Sequence, residues 1–503
     1  MPSTATRFPN AAPAPPQVRL AQLWHDKYFL AILLFGVLLR CAFLAVGAKA
    51  YYGAEHMFTN GDSGSYLMSF RNLVERGTYT FDFLEPEAAF GRLPGFPFFY
   101  GIHYYLFGVE HAVLATACSQ ALLDSLGIAL VFLATARLAS PRTSLAPYLA
   151  ALFYAAYPFT IVWTSIMGTE TLATFLTLLW FNTLLSARQQ WLTYVVLGVE
   201  IALIFYVRDF LGLLLPVTCL YLLVVQRGNW PAALRSCVLV VVGFGSLYIW
   251  WPVRNYVFQH QVVLIKPVRA GFANYKGDMV GYLNWVHSWS NESTYWLQQA
   301  LSNPHPDFPA DIFASAQERQ QAQALVEKTT DCGSSFYIYK HIGEPPPPGY
   351  HDIRETQDYL VECNDDIERG FEQLRASFKQ RHPVVYYTRV PLQNLEKAFF
   401  KSARQGSGGV EKAQLVQTVL FGYRSALLLL GVLGLLVYRR TPGLWPLFGL
   451  WACLLVFMCE FYRQLEMRYL LQTDVLLLLP AALLLARWLA ASKLGRQWAA
   501  RAG

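Results

Sequence analysis

Long runs of apolar residues recur along the chain, each about the length of a membrane-spanning helix. Such a helix needs about 17–25 mainly apolar residues to cross the hydrocarbon core of a bilayer. Few polar residues separate the helices within 145–187 and 191–226, so a count of nine to twelve fits the sequence. The pattern predicts an all-α polytopic membrane protein with about ten spans, at 28–48, 112–136, 145–164, 169–187, 191–207, 210–226, 233–251, 416–438, 443–460 and 469–489.

Two long segments interrupt the apolar pattern and divide the chain into domains. One follows the first span, and the other separates the seventh span from the eighth. The second is predicted to be an α-rich domain outside the membrane, because it contains a mixed-charge helical stretch around 311–328. In chain order the predicted domains are a disordered cytoplasmic tail at 1–27, an N-terminal transmembrane module at 28–251 with a first outer loop at 50–110, a large loop domain at 252–415, C-terminal transmembrane helices at 416–489, and a basic cytoplasmic tail at 490–503.

The positions of the basic residues predict how the chain is oriented. Cytoplasmic loops of membrane proteins carry an excess of Lys and Arg. With ten spans, the basic residues of both tails and of the loops after the second, fourth, sixth and eighth spans fall on one side. We therefore predict a multi-pass protein of the inner (plasma) membrane with both termini in the cytoplasm. The residues concerned are Arg7, Arg19, Lys27, Arg137, Arg142, Arg188, Arg227, Arg235, Arg439, Arg440, Lys493, Arg496 and Arg501.

The first span has a second interpretation, as a signal peptide cleaved near 48–50. A signal peptide has an apolar core of about 7–15 residues, and this run is longer. The span also contains Arg40, which is costly in lipid, so we expect it to face the helix bundle or to snorkel. For Asp124 in the second span we predict a hydrogen bond between helices, with a proton relay as the alternative.

Composition excludes several classes of protein. Hydrophobic residues make up 54% of the 503 positions and charged residues 15%, whereas soluble domains carry about 25% charged residues. A soluble enzyme and a disordered protein are therefore excluded. The net charge of +7 follows from the basic cytoplasmic loops, so no nucleic-acid partner is needed to explain it.

The cysteines agree with this topology. Six of the eight Cys lie in apolar spans, and Cys332 and Cys363 lie in the large loop. In an oxidising compartment this pair is predicted to form a disulfide, with two free thiols as the alternative. No spacing of Cys and His indicates a structural zinc site.

The first outer loop carries the most informative polar residues. Asp62 lies about 14 residues after the first span, and Tyr66 follows it on the same helix face. Arg92 precedes Pro94 and Pro97, which restrict the backbone. A carboxylate at the membrane surface can act as a general base, and an arginine can stabilise a phosphate. The alternative is that Asp62 only caps a helix or stabilises a turn.

Other charged residues lie at predicted outer ends of spans. Taken singly, each is compatible with a snorkelling side chain or a local ion pair. Together they predict several cations and carboxylates on the side of Asp62, as a site that handles a lipid phosphate requires. They are Glu170, Arg208, Asp209, Arg254, Arg463, Glu466 and Arg468.

At this point the sequence resembles a known family. A first span followed by the residues Asp-Ser-Gly-Ser-Tyr at 62–66 is similar to the start of GT-C-fold membrane glycosyltransferases. The resemblance is to the phospholipid carrier-dependent enzymes related to protein O-mannosyltransferases and lipid A aminoarabinose transferases. It extends over 28–256 and 416–489 and leaves 257–415 uncovered. The motifs that carry it are at 62–66, 92–97, 170–172, 254–256 and 466–469.

The resemblance implies an enzyme that moves a hexosyl or pentosyl group from a polyprenyl-phosphate donor to a lipid, glycan or protein acceptor on the extracytoplasmic face. Asp62 matches the family's essential acid and is expected to be the general base of an inverting displacement. Arg92 matches the basic residue before the proline motif. The residues expected to bind substrate or phosphate are Tyr66, Glu87, Arg92, Glu170, Arg254, Arg463 and Arg468.

The resemblance leaves the second acid and the cofactor open. Some relatives have a second acid near the basic-proline motif, and here Asp82, Glu85 and Glu87 are the candidates. A divalent cation is one option, with no cofactor required as the other.

Two other functions compete with the transferase. A transporter, such as a flippase for lipid-linked glycans, predicts inverted repeats with broken helices, and no matching halves are visible. A structural or assembly subunit predicts no need for Asp62 or Arg92.

Overall fold

The computed structural model describes residues 23–186, 190–266, 276–341, 345–346, 348–350, 352, 355, 363–400, 411–463 and 465–492. Over these residues the regular structure is helical and contains no β-strand. Most of the predicted N-terminal tail, nearly all of the basic C-terminal tail and Arg188 lie outside them.

The helices follow the apolar segments and the two loops. The first part of the chain forms α1 (Lys27–Tyr52), α2 (Ser63–Arg76), α3 (Gly95–Leu138), α4 (Ala146–Ala155), α5 (Glu170–Ser186), α6 (Trp191–Val207), α7 (Leu214–Val225) and α8 (Trp230–Gln259). The large loop forms α9 (Gly277–Trp289), α10 (Ser293–Ser302), α11 (Ala316–Cys332), α12 (Ser334–Lys340), α13 (Asn364–Arg381) and α14 (Val390–Phe400). The chain then forms α15 (Glu411–Val437), α16 (Trp445–Val456) and α17 (Leu471–Ala491).

The apolar helices confirm an all-α polytopic membrane protein. Among the described residues, six helices are long and apolar enough to cross a membrane: α1, α3, α8, α15, α16 with its extension to Tyr462, and α17. A seventh is counted if Pro141–Ala155 and Pro158–Thr164, bent by 47°, form one span. The predicted spans at 169–187, 191–207 and 210–226 correspond to α5, α6 and α7, which are shorter. The count of ten therefore stays a prediction.

The helix α3 begins earlier than the span predicted at 112–136. It starts at Gly95 and is interrupted at Gly108, where φ is +75°. A positive φ costs glycine little, so the break falls between the aromatic stretch that follows Pro94 and the predicted span. The first outer loop thus contains α2 and the first part of α3.

A buried ion pair joins α1 to α3. The Arg40 guanidinium lies 2.7 Å from the Asp124 carboxylate, and both side chains are 1% exposed. Arg40 also donates to the carbonyls of Gly36 and Ala155, each at 3.0 Å, and the Tyr154 hydroxyl donates to Asp124. Arg40 therefore faces the bundle, and Asp124 makes the bond between helices that the sequence predicts.

A second buried ion pair joins α15 to α17. Arg424 lies 2.7 Å from Asp474, and the Tyr157 hydroxyl donates to the same carboxylate at 3.3 Å. Arg424 also donates to the carbonyl of Ala398 at the end of α14. This pair fixes the C-terminal helices against the rest of the bundle.

Glycines bring α6 and α8 into close contact. A Cβ atom on Gly198 would lie 2.0 Å from the carbonyl oxygen of Val240, and one on Gly243 would lie 2.1 Å from that of Val195. Larger residues at these positions would separate the helices. The contact places Phe244 and Tyr248 of α8 beside Phe205 of α6.

The large loop has its own hydrophobic core, built mainly by α9, α11 and α13. Tyr282, Trp285 and Phe371 lie at its centre. Cys332 at the end of α11 and Cys363 before α13 form a disulfide, with their Cα atoms 6.1 Å apart. We refer to the side of the bundle that carries this core as the loop face.

The ion pair between Arg40 and Asp124 predicts a large stability effect. Asp124→Asn leaves the Arg40 charge without an anion, and we expect a loss of about 3–5 kcal/mol. Thermal unfolding of the purified protein in detergent measures it. The double change Arg40→Leu with Asp124→Leu should recover most of the loss, and Glu110→Gln, at an exposed position of α3, should change nothing. Wild-type stability for Asp124→Asn would contradict the prediction.

Candidate functional site

A cavity of about 640 Å³ lies at the loop-face ends of the membrane helices. It is bounded by the start of α2, the start of α5, the end of α6, α8, the end of α16 and the turn before α17. Its polar part is lined by Asn60, Asp62, Arg92, Glu170, Arg208, Asp209, Lys266 and Arg468. Its apolar part is lined mainly by Phe205, Phe210, Phe244, Tyr248, Phe457, Met458, Tyr462 and Tyr469.

Asp62 occupies the N-cap position of α2 but makes no capping bond. Asn60 makes the capping bonds instead. Its side-chain oxygen accepts the backbone N–H groups of Asp62 and Ser63, at 3.0 and 3.1 Å. The Asp62 carboxylate is therefore free to face the cavity. Its role as a simple helix cap, the alternative weighed from the sequence, does not describe this geometry.

Two arginines hold the Asp62 carboxylate. Arg92 Nη2 lies 3.0 Å from Oδ1, and Arg468 Nη1 lies 2.6 Å from Oδ2. Burial alone would raise the pKa of Asp62, but the charges and hydrogen bonds of Arg468 and Arg92 outweigh it, and the pKa is lowered. Asp62 is thus an ionised carboxylate with both oxygens engaged.

Arg92 is held firmly from several directions. Its Nε donates to Ser65 Oγ at 2.7 Å, and its guanidinium lies 4.5 Å from the centre of the Tyr66 ring. The Tyr79 hydroxyl donates to the Arg92 carbonyl at 2.9 Å. Ser65 and Tyr66 lie on the first turn of α2, so the helix that carries Asp62 also positions Arg92.

A second chain of contacts runs through Glu170, Arg208 and Arg468. Arg208 donates to Glu170 at 2.8 Å and to the backbone carbonyl of Arg468 at 2.8 Å. Arg468 also lies 2.6 Å from Glu466 and 4.0 Å from Glu170. Burial opposes the charge of Arg468, but these carboxylates, with Glu170 first, hold its pKa above the usual range. Arg208 and Arg468 are therefore both cations at the cavity.

Lys266 adds a further cation from the segment after α8. Its ammonium group lies 4.0 Å from Asp209 Oδ2. Burial lowers the pKa of Lys266, and the Asp209 charge works against this shift. An anionic ligand in the cavity would favour the charged form of Lys266 in the same way.

Five of the predicted site residues thus meet in one place, and three do not. Asp62, Tyr66, Arg92, Glu170 and Arg468 line the cavity. Arg254, Arg463 and Glu87 lie elsewhere.

Arg254, predicted to bind phosphate, does not line the cavity and contacts the first outer loop instead. It is buried and donates to the carbonyls of Ala89 and Tyr79, at 2.9 and 2.8 Å. It therefore fastens the first outer loop to α8, beside the tyrosine that supports Arg92. Its position at a helix end resembles that of Arg208 in the sequence, but its side chain points into the loop.

Arg463 also serves the fold. It donates to the carbonyls of His287 and Tyr386, at 3.2 and 2.7 Å, and lies 3.7 Å from the centre of the Tyr386 ring. It joins the end of α16 to the loop core. Burial, followed by the charges of Arg463 and Arg375, lowers the pKa of His287 to about 4.

None of the three candidates for a second acid lines the cavity. Glu87 is exposed, and Glu85 is buried and pairs with Lys276 at the start of α9. The acids beside Asp62 in the cavity are Glu170 and Asp209 instead.

Among the described residues, the carboxylates of the cavity are paired with cations. Both Asp62 oxygens and one Glu170 oxygen already accept from arginines. Among the residues that the structure describes, no group of three or more His, Cys, Asp or Glu side chains is arranged to hold a metal ion.

Sequence reasoning missed the full contribution of Arg208, Asp209 and Lys266. The first two were visible as charges at an outer helix end, but nothing in the pattern separated them from Arg254. Lys266 follows a run of apolar residues at 262–265 and carries no motif.

No protein-family model and no curated protein matches the chain. Among solved structures, the chain is similar to the archaeal oligosaccharyltransferase AglB from Archaeoglobus fulgidus in complex with an inhibitory peptide and a dolichol-phosphate. The identity is 14% and the TM-score 0.49, over 94% of this chain and 52% of that chain, so the chain spans about half the length of AglB. It is also similar to ArnT from Cupriavidus metallidurans bound to undecaprenyl phosphate, with 17% identity and a TM-score of 0.35, over 92% of this chain and 78% of that chain.

AglB and ArnT are both GT-C-fold enzymes, the class that the sequence motifs resemble. At these identities and TM-scores the similarity carries no conclusion about activity. The chain is an all-α polytopic membrane protein.

Proposed function

We propose that this protein is a membrane glycosyltransferase that moves a sugar from a polyprenyl-phosphate donor to an acceptor hydroxyl on the extracytoplasmic face of the inner membrane. The observation that carries the proposal is the division of the cavity. Cations and carboxylates line one part, and aromatic and aliphatic side chains line the other. A lipid-linked sugar phosphate has the same two-part chemistry.

The charge of the cavity suits a phosphodiester. Four basic and three acidic side chains line its described part, which gives a formal charge of +1. A polyprenyl-phosphate sugar carries one negative charge at neutral pH, so the bound state is neutral. This balance favours the donor, because a net charge is costly in a partly buried site.

The proposed step is a single displacement. The acceptor oxygen attacks the anomeric carbon, the bond from that carbon to the phosphate oxygen breaks, and its electron pair stays on the phosphate. Asp62 takes the proton of the acceptor hydroxyl. Attack opposite the leaving group inverts the anomeric centre.

The charges also balance after the step. Protonation of Asp62 raises the formal charge of the cavity to +2, and the free polyprenyl phosphate carries up to about −2. Arg208, Lys266 and Arg468 then stabilise the charge that develops on the phosphate, as preorganised cations do in a partly dehydrated site. The cavity is suited to the transition state and the products as well as to the donor.

Asp62→Asn should slow transfer strongly. The amide keeps the shape of the side chain but takes no proton, and we expect the rate to fall by about 10²–10⁴. Mass spectrometry of lipid extracts measures the amount of polyprenyl-phosphate sugar in three strains of the source organism. They are a deletion strain, the deletion complemented with wild type, and the deletion complemented with Asp62→Asn. A polyprenyl-phosphate sugar should accumulate in the deletion and with Asp62→Asn, but not with wild type.

The matched control for this experiment is Glu75→Gln, an exposed carboxylate on the same helix, which should complement fully. Full complementation by Asp62→Asn would remove Asp62 from catalysis. Unchanged lipid-linked sugars in the deletion strain would contradict the transferase and favour a transporter or an assembly subunit.

The lowered pKa of Asp62 predicts the pH at which the transfer rate falls on the acid side of the pH–rate profile. Because Arg468 and Arg92 lower this pKa, the wild-type rate should fall only below the ordinary Asp pKa of about 3.9. Arg92→Gln removes a cation that favours the carboxylate, so the pKa of Asp62 should rise and activity should be lost at higher pH than in wild type. The rate at which isolated membranes consume the accumulated lipid-linked sugar measures both profiles. An acid limb at the same pH in both proteins would refute the assignment.

A further inference from the structure

Both carboxylate oxygens of Asp62 already accept from arginines in the arrangement that the structure describes. Arg92 engages Oδ1 at 3.0 Å and Arg468 engages Oδ2 at 2.6 Å. A general base needs an oxygen within hydrogen-bond reach of the acceptor hydroxyl. Each oxygen keeps a lone pair beyond its arginine contact, but the carboxylate becomes a stronger base toward the acceptor hydroxyl when one arginine moves away.

The two arginines differ in how firmly they are held. The Arg92 side chain is 6% exposed and has further partners in Ser65 and Tyr66. The Arg468 side chain is 18% exposed. Its other partners are Glu466 at 2.6 Å, Glu170 at 4.0 Å and the Tyr469 ring, whose centre lies 5.3 Å from the guanidinium. Arg208 holds its backbone carbonyl. Arg468 can thus turn on a fixed backbone without losing all of its counter-charges.

We propose that the phosphate of the polyprenyl carrier competes with Asp62 for Arg468, so that donor binding releases Asp62 Oδ2 for the acceptor. This proposal rests on the proposed function and adds an order to it. The donor binds first, Arg468 moves from the carboxylate to the phosphate, and the acceptor hydroxyl then meets a free carboxylate oxygen. Arg92 stays on Oδ1 and keeps Asp62 in place.

The proposal predicts that a catalytically dead variant binds the carrier more tightly than wild type. Asp62→Asn removes the anion that competes for Arg468. Binding of farnesyl phosphate, a short water-soluble prenyl phosphate, to the purified full-length protein measures the effect by calorimetry. We expect Asp62→Asn to lower the Kd by about tenfold.

Repeating the Asp62→Asn change in two further variants distinguishes competition for Arg468 from a general effect of the charge change. In Arg468→Gln the gain from Asp62→Asn should disappear, because the contested cation is absent. In Arg92→Gln the gain should persist, because Arg92 does not change partners. The coupling between Asp62 and Arg468 in this double-mutant cycle is the quantity that tests the proposal.

Three outcomes would overturn it. If Asp62→Asn binds farnesyl phosphate no better than wild type does, the carboxylate does not compete with the phosphate for Arg468. A gain of the same size in Arg468→Gln would mean that only the overall charge matters. If neither wild type nor Asp62→Asn binds farnesyl phosphate, the proposed function is overturned as well.

Discussion

The ion pair between Asp62 and Arg468 joins residues that lie 406 positions apart in the chain, and both residues line the cavity. Asp62 belongs to the first outer loop, and Arg468 lies in the last turn before α17. Both are largely withdrawn from water, where an unpaired charge is costly. The same constraint operates in the bundle below, where Arg40 meets Asp124 and Arg424 meets Asp474. Paired charges thus hold the first and last helices of the chain to their neighbours, and with them the two halves of the cavity.

The loop domain contributes to the site indirectly. Arg463 binds it to the end of α16, and Lys276 binds it to Glu85 in the first outer loop. Arg254 fastens that loop to α8 at Tyr79, and Tyr79 supports the backbone of Arg92. Three cations that do not line the cavity therefore keep in register the elements that carry the proposed binding residues. Such contacts explain why basic residues cluster on the loop face even where they do not reach the cavity.

The arrangement of the cavity connects binding to chemistry. Its apolar part is formed by α6, α8 and the end of α16, and close contact at Gly198 and Gly243 keeps Phe205 beside Phe244 and Tyr248. Its charged part is formed where α2, α5 and α6 end or begin. A lipid phosphate at the boundary of the two parts would meet Arg468 and Arg208 while its chain stays among apolar side chains. Helix ends at the membrane surface are where such a boundary is available.

Hydrophobic patterning determined the helical membrane fold, because the bilayer requires long apolar helices whatever their packing. The sequence also located Asp62, Tyr66, Arg92, Glu170 and Arg468, because the motifs of the first outer loop and the charges at helix ends are visible without coordinates. It did not separate these residues from Arg254, Arg463 and Glu87, and it did not indicate Lys266. Only the tertiary structure decided which charges share one cavity. That choice depends on which way each helix end points and which carbonyls lie nearby, and the linear order of residues records neither.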